Sequence, residues 1–173
     1  MHPAGCVWWD MAPPTVNVEL RMNNLDAAAA VSCATADDAD ALAAISTGSI
    51  SGKHAFIVDS LARRRVVAAR LDGRIVGYIV WDRSFFSRPF VWLLGVDPAF
   101  RRRGIATNLL REFERRCRGE SLFTSTNESN HPMQTLLCGL GYVPSGRIEN
   151  IDPGDPELVY FKDTEHAASR PTL

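Results

Sequence analysis

Residues 90–110 read Phe-Val-Trp-Leu-Leu-Gly-Val-Asp-Pro-Ala-Phe-Arg-Arg-Arg-Gly-Ile-Ala-Thr-Asn-Leu-Leu, and this stretch decides the fold. Phe90 to Val96 is apolar throughout. Such a run reads as a central strand covered on both faces. Pro98 follows its end, and the chain then turns through Arg101-Arg102-Arg103-Gly104. From Ile105 the period becomes helical. Ile105, Leu109, Leu110, Phe113 and Cys117 fall on one stripe of a helix expected to reach about Arg118, with Gly119 closing it. Glu112 with Arg116 and Glu114 with Arg118 stand i,i+4 on what should be the wet side. A strand end followed at once by a helix start gathers free backbone N–H groups at one point, and the helix dipole favours an anion there. Gly104 and the small Ala106 let a phosphate approach the main chain, and three arginines supply charge. This is the equipment expected for a diphosphate. Taken alone, Arg-Arg-Arg-Gly also fits a solvated turn. It is neither a Walker loop nor a dinucleotide fingerprint, since Gly-Lys-Ser/Thr and Gly-x-Gly-x-x-Gly are both missing.

Upstream, Val66 to Leu71 and Arg74 to Trp81 are β-rich runs joined by Asp72-Gly73, a strong two-residue hairpin signal. Before them, Val31 to Thr35 is a weaker strand. Thr35 caps a helix with Asp37 and Asp38 in its first turn and Ala39, Leu42, Ala43 and Ile45 on its apolar face, stopped by Thr47-Gly48-Ser49. A second helix runs from about Lys53 to Arg64. Downstream lie a strand from Leu122 to Thr126, a helix from about Met133 to Leu140 closed by Gly141, and strands near 146–150 and 158–162 around the turn Asp152 to Pro156. The order β-α-α-β-β-β-α-β-α-β-β describes an α/β chain with an antiparallel start and one βαβ crossover. Residues 1–30, interrupted by Pro3, Pro13 and Pro14, read as an N-terminal extension either of poor order or packed through Val7, Trp8 and Trp9, with one short strand candidate at Val16 to Leu20. Residues 31–163 form the domain and 164–173 a loose tail.

The chain has 173 residues, 46% hydrophobic and 23% charged, enough for one domain with a sizeable core. No stretch reaches about 18 apolar residues, so no membrane span is expected. A net charge of −1 argues against general attraction to nucleic acid or anionic lipid. The charge is nevertheless segregated: residues 1–60 carry net −5, 61–120 net +8 and 121–173 net −4. A basic middle between acidic ends fits a local anion site, and also fits plain solvated faces. The arginine cluster is not interleaved with exposed aromatics, which leaves a nucleic-acid partner little support. Cys6, Cys33, Cys117 and Cys138 show neither a CxxC pair nor zinc spacing, so free thiols and no metal are expected. Residues 1–30 lack a basic segment followed by an apolar run, so a cytoplasmic location follows by elimination.

The segment Val96-Asp97-Pro98-Ala99-Phe100-Arg101-Arg102-Arg103-Gly104-Ile105-Ala106-Thr107-Asn108-Leu109-Leu110 resembles the acyl-CoA-binding motif of the GNAT superfamily of N-acyltransferases, (Gln/Arg)-x-x-Gly-x-(Gly/Ala). The resemblance spans about residues 31–162, and element order agrees along it. Asn130, ten residues before Leu140-Gly141-Tyr142, matches the family's Asn ahead of a helix ending in Leu-Gly-Phe. The resemblance implies a mixed, mostly antiparallel sheet flanked by helices, with one parallel pair splayed at the cofactor site. It implies acetyl-CoA as co-substrate, with the backbone of Arg102, Arg103, Gly104, Ile105 and Ala106 around the diphosphate and Arg101 and Thr107 flanking it. Leu94 and Val96 would pair with the pantetheine amides. An N–H near Leu94 would face the thioester carbonyl, a contribution of roughly 3–4 kcal/mol to the transition state. Asn130 would contact the cofactor arm. The acceptor would be a small-molecule or protein amine attacking directly, and a homodimer is a common state of the family.

Two departures from the family pattern concern catalysis. The Tyr that often donates a proton, seven residues after the Asn, is Leu137 here, and Phe90 to Leu94 holds no carboxylate to serve as base. His131 and Tyr142 are the substitute candidates, each with an ordinary alternative: an exposed loop histidine and a core aromatic. Cys138 reads as a buried helix thiol. Asp82, near the presumed acceptor cleft, reads more simply as a solvated strand end, and Trp81, Phe85, Phe86 and Trp92 as packing, with one or two of these rings the alternative lining of an acceptor pocket. Glu149, Asp152, Asp155 and Glu157 would either attract a cationic amine or form a charged turn. A non-catalytic acyl-CoA-binding module therefore stands beside the N-acetyltransferase reading.

Overall fold

The computed structural model describes residues 29–45 and 52–164. The strand candidate at Val16 to Leu20 and the Thr47-Gly48-Ser49 stop lie outside them. Strand β1 (Ala30–Cys33) leads through a 3-10 turn (Ala36–Asp38) into helix α1 (Ala39–Ala44), and α2 (Lys53–Ala62) follows. Strands β2 (Val66–Leu71), β3 (Arg74–Phe85) and β4 (Arg88–Val96) come next. A second 3-10 turn (Pro98–Phe100) precedes α3 (Ile105–Arg116), β5 (Ser121–Asn127), α4 (His131–Gly139), β6 (Val143–Ile148) and β7 (Glu157–Asp163). The seven strands form one sheet in the order β1-β2-β3-β4-β5-β7-β6. Every neighbouring pair is antiparallel except β4 and β5. The α/β class, the element order and the single parallel pair match the sequence reading.

Helices α3 and α4 cover one face, which we call the helix face. Their Ile105, Leu109, Leu110, Phe113 and Leu137 bury against Val67, Val76, Val91, Leu122 and Tyr160. On the opposite face, α1 and α2 pack Leu42, Ile57 and Leu61 onto Val66, Ala68, Tyr78, Val80 and Leu93. That second cluster takes nothing from β5, β6 or β7. Strand β4 is accordingly not covered along its whole length, as its apolar run had predicted. Trp92 is 43% exposed, because α1 and α2 stop over the β2–β4 half of the sheet.

Several boundaries differ from the sequence reading for local reasons. Strand β3 continues to Phe85, and the β3–β4 hairpin turns at Phe86-Ser87 with φ of 49° and 60°. Two left-handed residues make a tight hairpin, but without Gly or Asn the turn leaves little sequence signal. Helix α4 starts at His131, two residues early, and β6 starts at Val143 instead of near Gly146. The expected Glu114–Arg118 pair is replaced by Glu114 with Lys162 of β7 at 2.8 Å, since Glu114 faces the sheet. Thr164, just beyond β7, accepts from the N–H groups of Gly119 and Glu120 at 2.9 and 3.0 Å.

Gly77 sets the seat of α3. A Cβ built there would lie 2.9 Å from the Gly95 carbonyl oxygen and 2.9 Å from Ile105 Cγ2. The missing side chain is the notch into which the first turn of α3 drops. Gly77→Ala should therefore lower stability by about 1–3 kcal/mol through overpacking against a backbone atom, read by chemical denaturation. Wild-type stability in that variant would show that the notch can relax.

Candidate active site

Strand β4 pairs with β5 only at Phe90–Phe123 and Val91–Thr124. The Thr124 hydroxyl donates to the Val91 carbonyl at 3.4 Å and closes this short ladder. On the β3 side, the register steps from Val80–Leu93 to Trp81–Val91, leaving Trp92 as the extra residue of a bulge. A bulge bends and twists its strand. From Trp92 onward β4 leaves β5, and a gap opens between them.

Leu94 and Val96 line that gap with main-chain groups. Asp97 N–H donates to the Val76 carbonyl at 2.9 Å, and pairing is regular from Leu93 to Val96. Backbone groups alternate sides along a strand. Asp97, Gly95 and Leu93 therefore bond toward β3, and Leu94 and Val96 present theirs to the gap. The Val96 carbonyl accepts there from Arg101 Nε at 3.3 Å.

The gap leads to the start of α3. Asp97 accepts from Ala99 N–H at 2.9 Å and pairs with Arg74 at 2.6 Å, which fixes the strand end. Arg102 and Gly104 are both left-handed, with φ of 62° and 74°. Left-handed residues in such a loop turn successive N–H groups toward a common concavity. No side chain caps the helix at Gly104, and its first intrahelical bond runs from Asn108 N–H to the Gly104 carbonyl. The N–H groups of Ile105, Ala106 and Thr107 thus have no carbonyl one turn back. A Cβ at Gly104 would meet nothing within 4 Å, so the approach to these groups is open. Arg101, Arg102 and Arg103 are exposed and, among the described residues, enter no ion pair; the Arg103 guanidinium lies over the Phe100 ring at 5.3 Å. One contiguous surface thus unites Leu94, Val96 and Arg101 through Thr107.

The remaining sequence candidates are placed elsewhere. Asn130 caps α4, its side chain accepting from Met133 N–H at 3.3 Å and donating to the Thr126 hydroxyl at 3.0 Å. His131 is an exposed first-turn residue of that helix. Tyr142 is 2% exposed in the core on the helix face, with Lys162 Nζ 5.3 Å from its ring centroid. Burial, reinforced by the neighbouring Glu114 carboxylate, holds its hydroxyl well above the usual tyrosine range. Leu137 is fully buried in the same core. Cys138 is exposed, and burial pushes the Cys117 thiol up to about 11.

Two groups escaped the sequence reading. The first is a row of rings on the second face, in which Phe90, Phe123 and Phe161 join the already suspected Phe85 and Trp92 at centroid spacings of 4.5–5.4 Å. Trp92 Nε1 donates to Asp82 at 2.7 Å. Burial raises the Asp82 carboxyl, but bonds from Ser84 and Trp92 and the Arg65 charge outweigh it and hold the group below its usual value. The second is the placement of Ser125 near Glu157 on one sheet face: Ser125 lies opposite Val159 and Asn127 opposite Glu157 in the β5–β7 register. Burial lifts the Glu157 carboxyl above its usual value, Asp152 and Asp155 push the same way, and Ser125 opposes them. Proximity across two strands leaves no pattern along one.

Asn130→Ala should cost about 1 kcal/mol of folding stability through the lost helix cap, measured by denaturant titration. An unchanged midpoint would mean that the cap contributes nothing.

Known proteins place this geometry. The model of the acetyltransferase (GNAT) family matches residues 25–142. The N-alpha-acetyltransferase RimI of Mycobacterium tuberculosis (strain ATCC 25618 / H37Rv) is 35% identical over 79 residues, 44% of this chain and 50% of that protein. The match spans only half the length of that curated relative. A crystal structure of a GNAT-family acetyltransferase from Bacillus cereus ATCC 10987 is 34% identical with a TM-score of 0.71, covering 78% of this chain and 96% of that one. Diaminobutyrate acetyltransferase EctA from Paenibacillus lautus, solved with L-2,4-diaminobutyric acid and coenzyme A, shares the fold at 20% identity and a TM-score of 0.62, over 76% and 93% of the two chains. With its splayed parallel pair, its Arg-x-x-Gly-x-Ala helix start and a family match over most of its length, the chain belongs to the GNAT family of acetyltransferases.

Proposed function

We propose that the protein is an acetyl-CoA-dependent N-acetyltransferase whose acceptor is the α-amine of a peptide. The observation that carries this reading is the gap between β4 and β5, which runs into the uncapped start of α3. The residues fit the co-substrate. The N–H groups of Arg102 to Ala106 suit a diphosphate, with Arg101 and Thr107 at its sides. The gap-side groups of Leu94 and Val96 suit the two amides of pantetheine, which would bind as an added strand. Acetyl-CoA supplies an activated acyl group. The chain's part is to hold it, to orient an amine against it and to manage protons. Likeness to an N-alpha-acetyltransferase supports a peptide amine, as does the half-exposed Trp92 beside the gap on a sheet face lined with rings.

A cofactor-binding module without turnover is the second reading, favoured by Leu137 being buried where the family often has a proton-donating Tyr. Thiol release from acetyl-CoA against an alanine-initiated hexapeptide, a lysine peptide and a set of diamines separates the two. The transferase reading expects release with the hexapeptide; binding of acetyl-CoA with no release for any amine contradicts it.

Gly104→Glu should abolish acetyl-CoA binding in calorimetry while the protein stays folded. The new carboxylate repels phosphate at the helix start. Its Cβ meets no neighbour within 4 Å, and the left-handed backbone at φ 74° adds local strain, so a thermal melt accompanies the titration to show that the variant is folded. Unchanged affinity in that variant would remove the cradle.

A further inference from the structure

The transferase reading leaves one role unfilled. An amine arrives protonated and must lose a proton before it attacks. Phe90 to Leu94 holds no carboxylate, Leu137 is apolar, and Tyr142 is buried on the helix face. Asp82 lies on the correct face, but bonds from Ser84 and the Trp92 indole occupy its Oδ1.

Strand β7 supplies another group. Leu158 and Tyr160 pack into the core beneath α3 and α4. The regular β5–β7 register and the period of two therefore turn Glu157, Val159 and Phe161 to the opposite face. Phe161 confirms this by stacking on Phe123 at 5.3 Å. On β5, Leu122 is core, so Phe123 and Ser125 share the face of Glu157. Ser125 follows Thr124, the last β5 residue that pairs with β4. It is thus the first β5 side chain at the mouth of the gap on the aromatic face, and the register sets it diagonally across from Glu157, Ser125 lying opposite Val159 and Asn127 opposite Glu157.

We propose that Glu157 is the proton acceptor for the incoming ammonium and that Ser125 positions its carboxylate at the mouth of the gap. The assignment rests on the transferase reading. The ammonium gives one proton to the Glu157 carboxylate and keeps its lone pair. That pair forms the new N–C bond as the C–S bond breaks. The second N–H proton goes to the departing sulfur, so the products are an amide and a free thiol, and Glu157 returns its proton to water. The charged groups around it are consistent with this task. Asp152 accepts from Asn127 of β5 at 2.8 Å, and Asp155 accepts from Ser129 N–H at 2.9 Å. On β6, Arg147 is engaged by Glu128 and Glu149, so among the described residues no cation pairs with Glu157 from that side. Partial burial and two nearby acids raise its proton affinity above that of an ordinary glutamate.

The test compares wild type with Glu157→Gln, Glu157→Asp and Ser125→Ala, using acetyl-CoA and the alanine-initiated hexapeptide. All four should bind acetyl-CoA alike in calorimetry. Glu157→Gln should lower kcat/KM by about 100-fold near pH 7 and converge on wild type as the α-amine, with a pKa of about 8, becomes neutral. Glu157→Asp should recover part of the rate. In the apo protein, carbon-13 NMR should show the Glu157 carboxyl titrating above the exposed glutamates. Its midpoint should rise further in Ser125→Ala, because a donor to the charged form is lost. Equal rates for Glu157→Gln and wild type, a loss independent of pH, or a Glu157 carboxyl titrating with the exposed glutamates would each overturn the assignment and leave the transferase reading standing. A wild-type protein that binds acetyl-CoA and releases no thiol overturns both.

Discussion

The site depends on a pairing that stops. Strands β4 and β5 share two residue pairs and then part at the Trp92 bulge. Unpaired main-chain groups inside a sheet are costly unless water or a ligand satisfies them. The fold sustains the break because both strands are held on their outer sides. Strand β4 is pinned along β3 as far as Val96, and β5 along β7 from Ser121 to Asn127. Helix α3 is fixed from above by the notch at Gly77 and the stripe from Ile105 to Phe113. Rigid borders thus keep an open seam, and the seam points at the end of α3 where free N–H groups collect.

Charge distribution follows the same architecture. Six of the fourteen arginines between residues 61 and 120 are paired with carboxylates: Arg63 with Asp59, Arg70 with Asp38, Arg74 with Asp97, Arg83 with Glu120, and Arg115 and Arg116 with Glu112. Exposed pairs of this kind add little to stability. Their effect is to leave Arg101 to Arg103 as a concentrated positive patch at the helix start. Asp152, Asp155 and Glu157 cluster at one end of the β5–β7 pair. The proposed diphosphate cradle and the proposed acceptor side thus carry charge of opposite sign.

The chain shows some of this in one dimension and hides the rest. Asp72-Gly73 announced the β2–β3 hairpin, and Arg101 to Ala106 between an apolar run and an amphipathic helix announced the helix-start cradle, because both signals are local. The bulge at Trp92 has no composition of its own. Phe86-Ser87 forms a tight turn without the residues that usually mark one. Gly77 looked like any strand residue until α3 was seen resting on it. Glu114 was assigned to its neighbour Arg118 by helix spacing, whereas a cation from β7 reaches it first. Ser125 and Glu157 meet only through the β5–β7 register. Asn130 was legible as a position, and its side chain turns out to hold its own helix to β5.

The most direct measurement of the central claim is residue-resolved amide hydrogen exchange with and without saturating acetyl-CoA. The account predicts that exchange slows at Leu94, Val96, Ile105, Ala106 and Thr107, the groups that line the seam and open α3. Protection that leaves these five amides unchanged and appears elsewhere on the surface would contradict it.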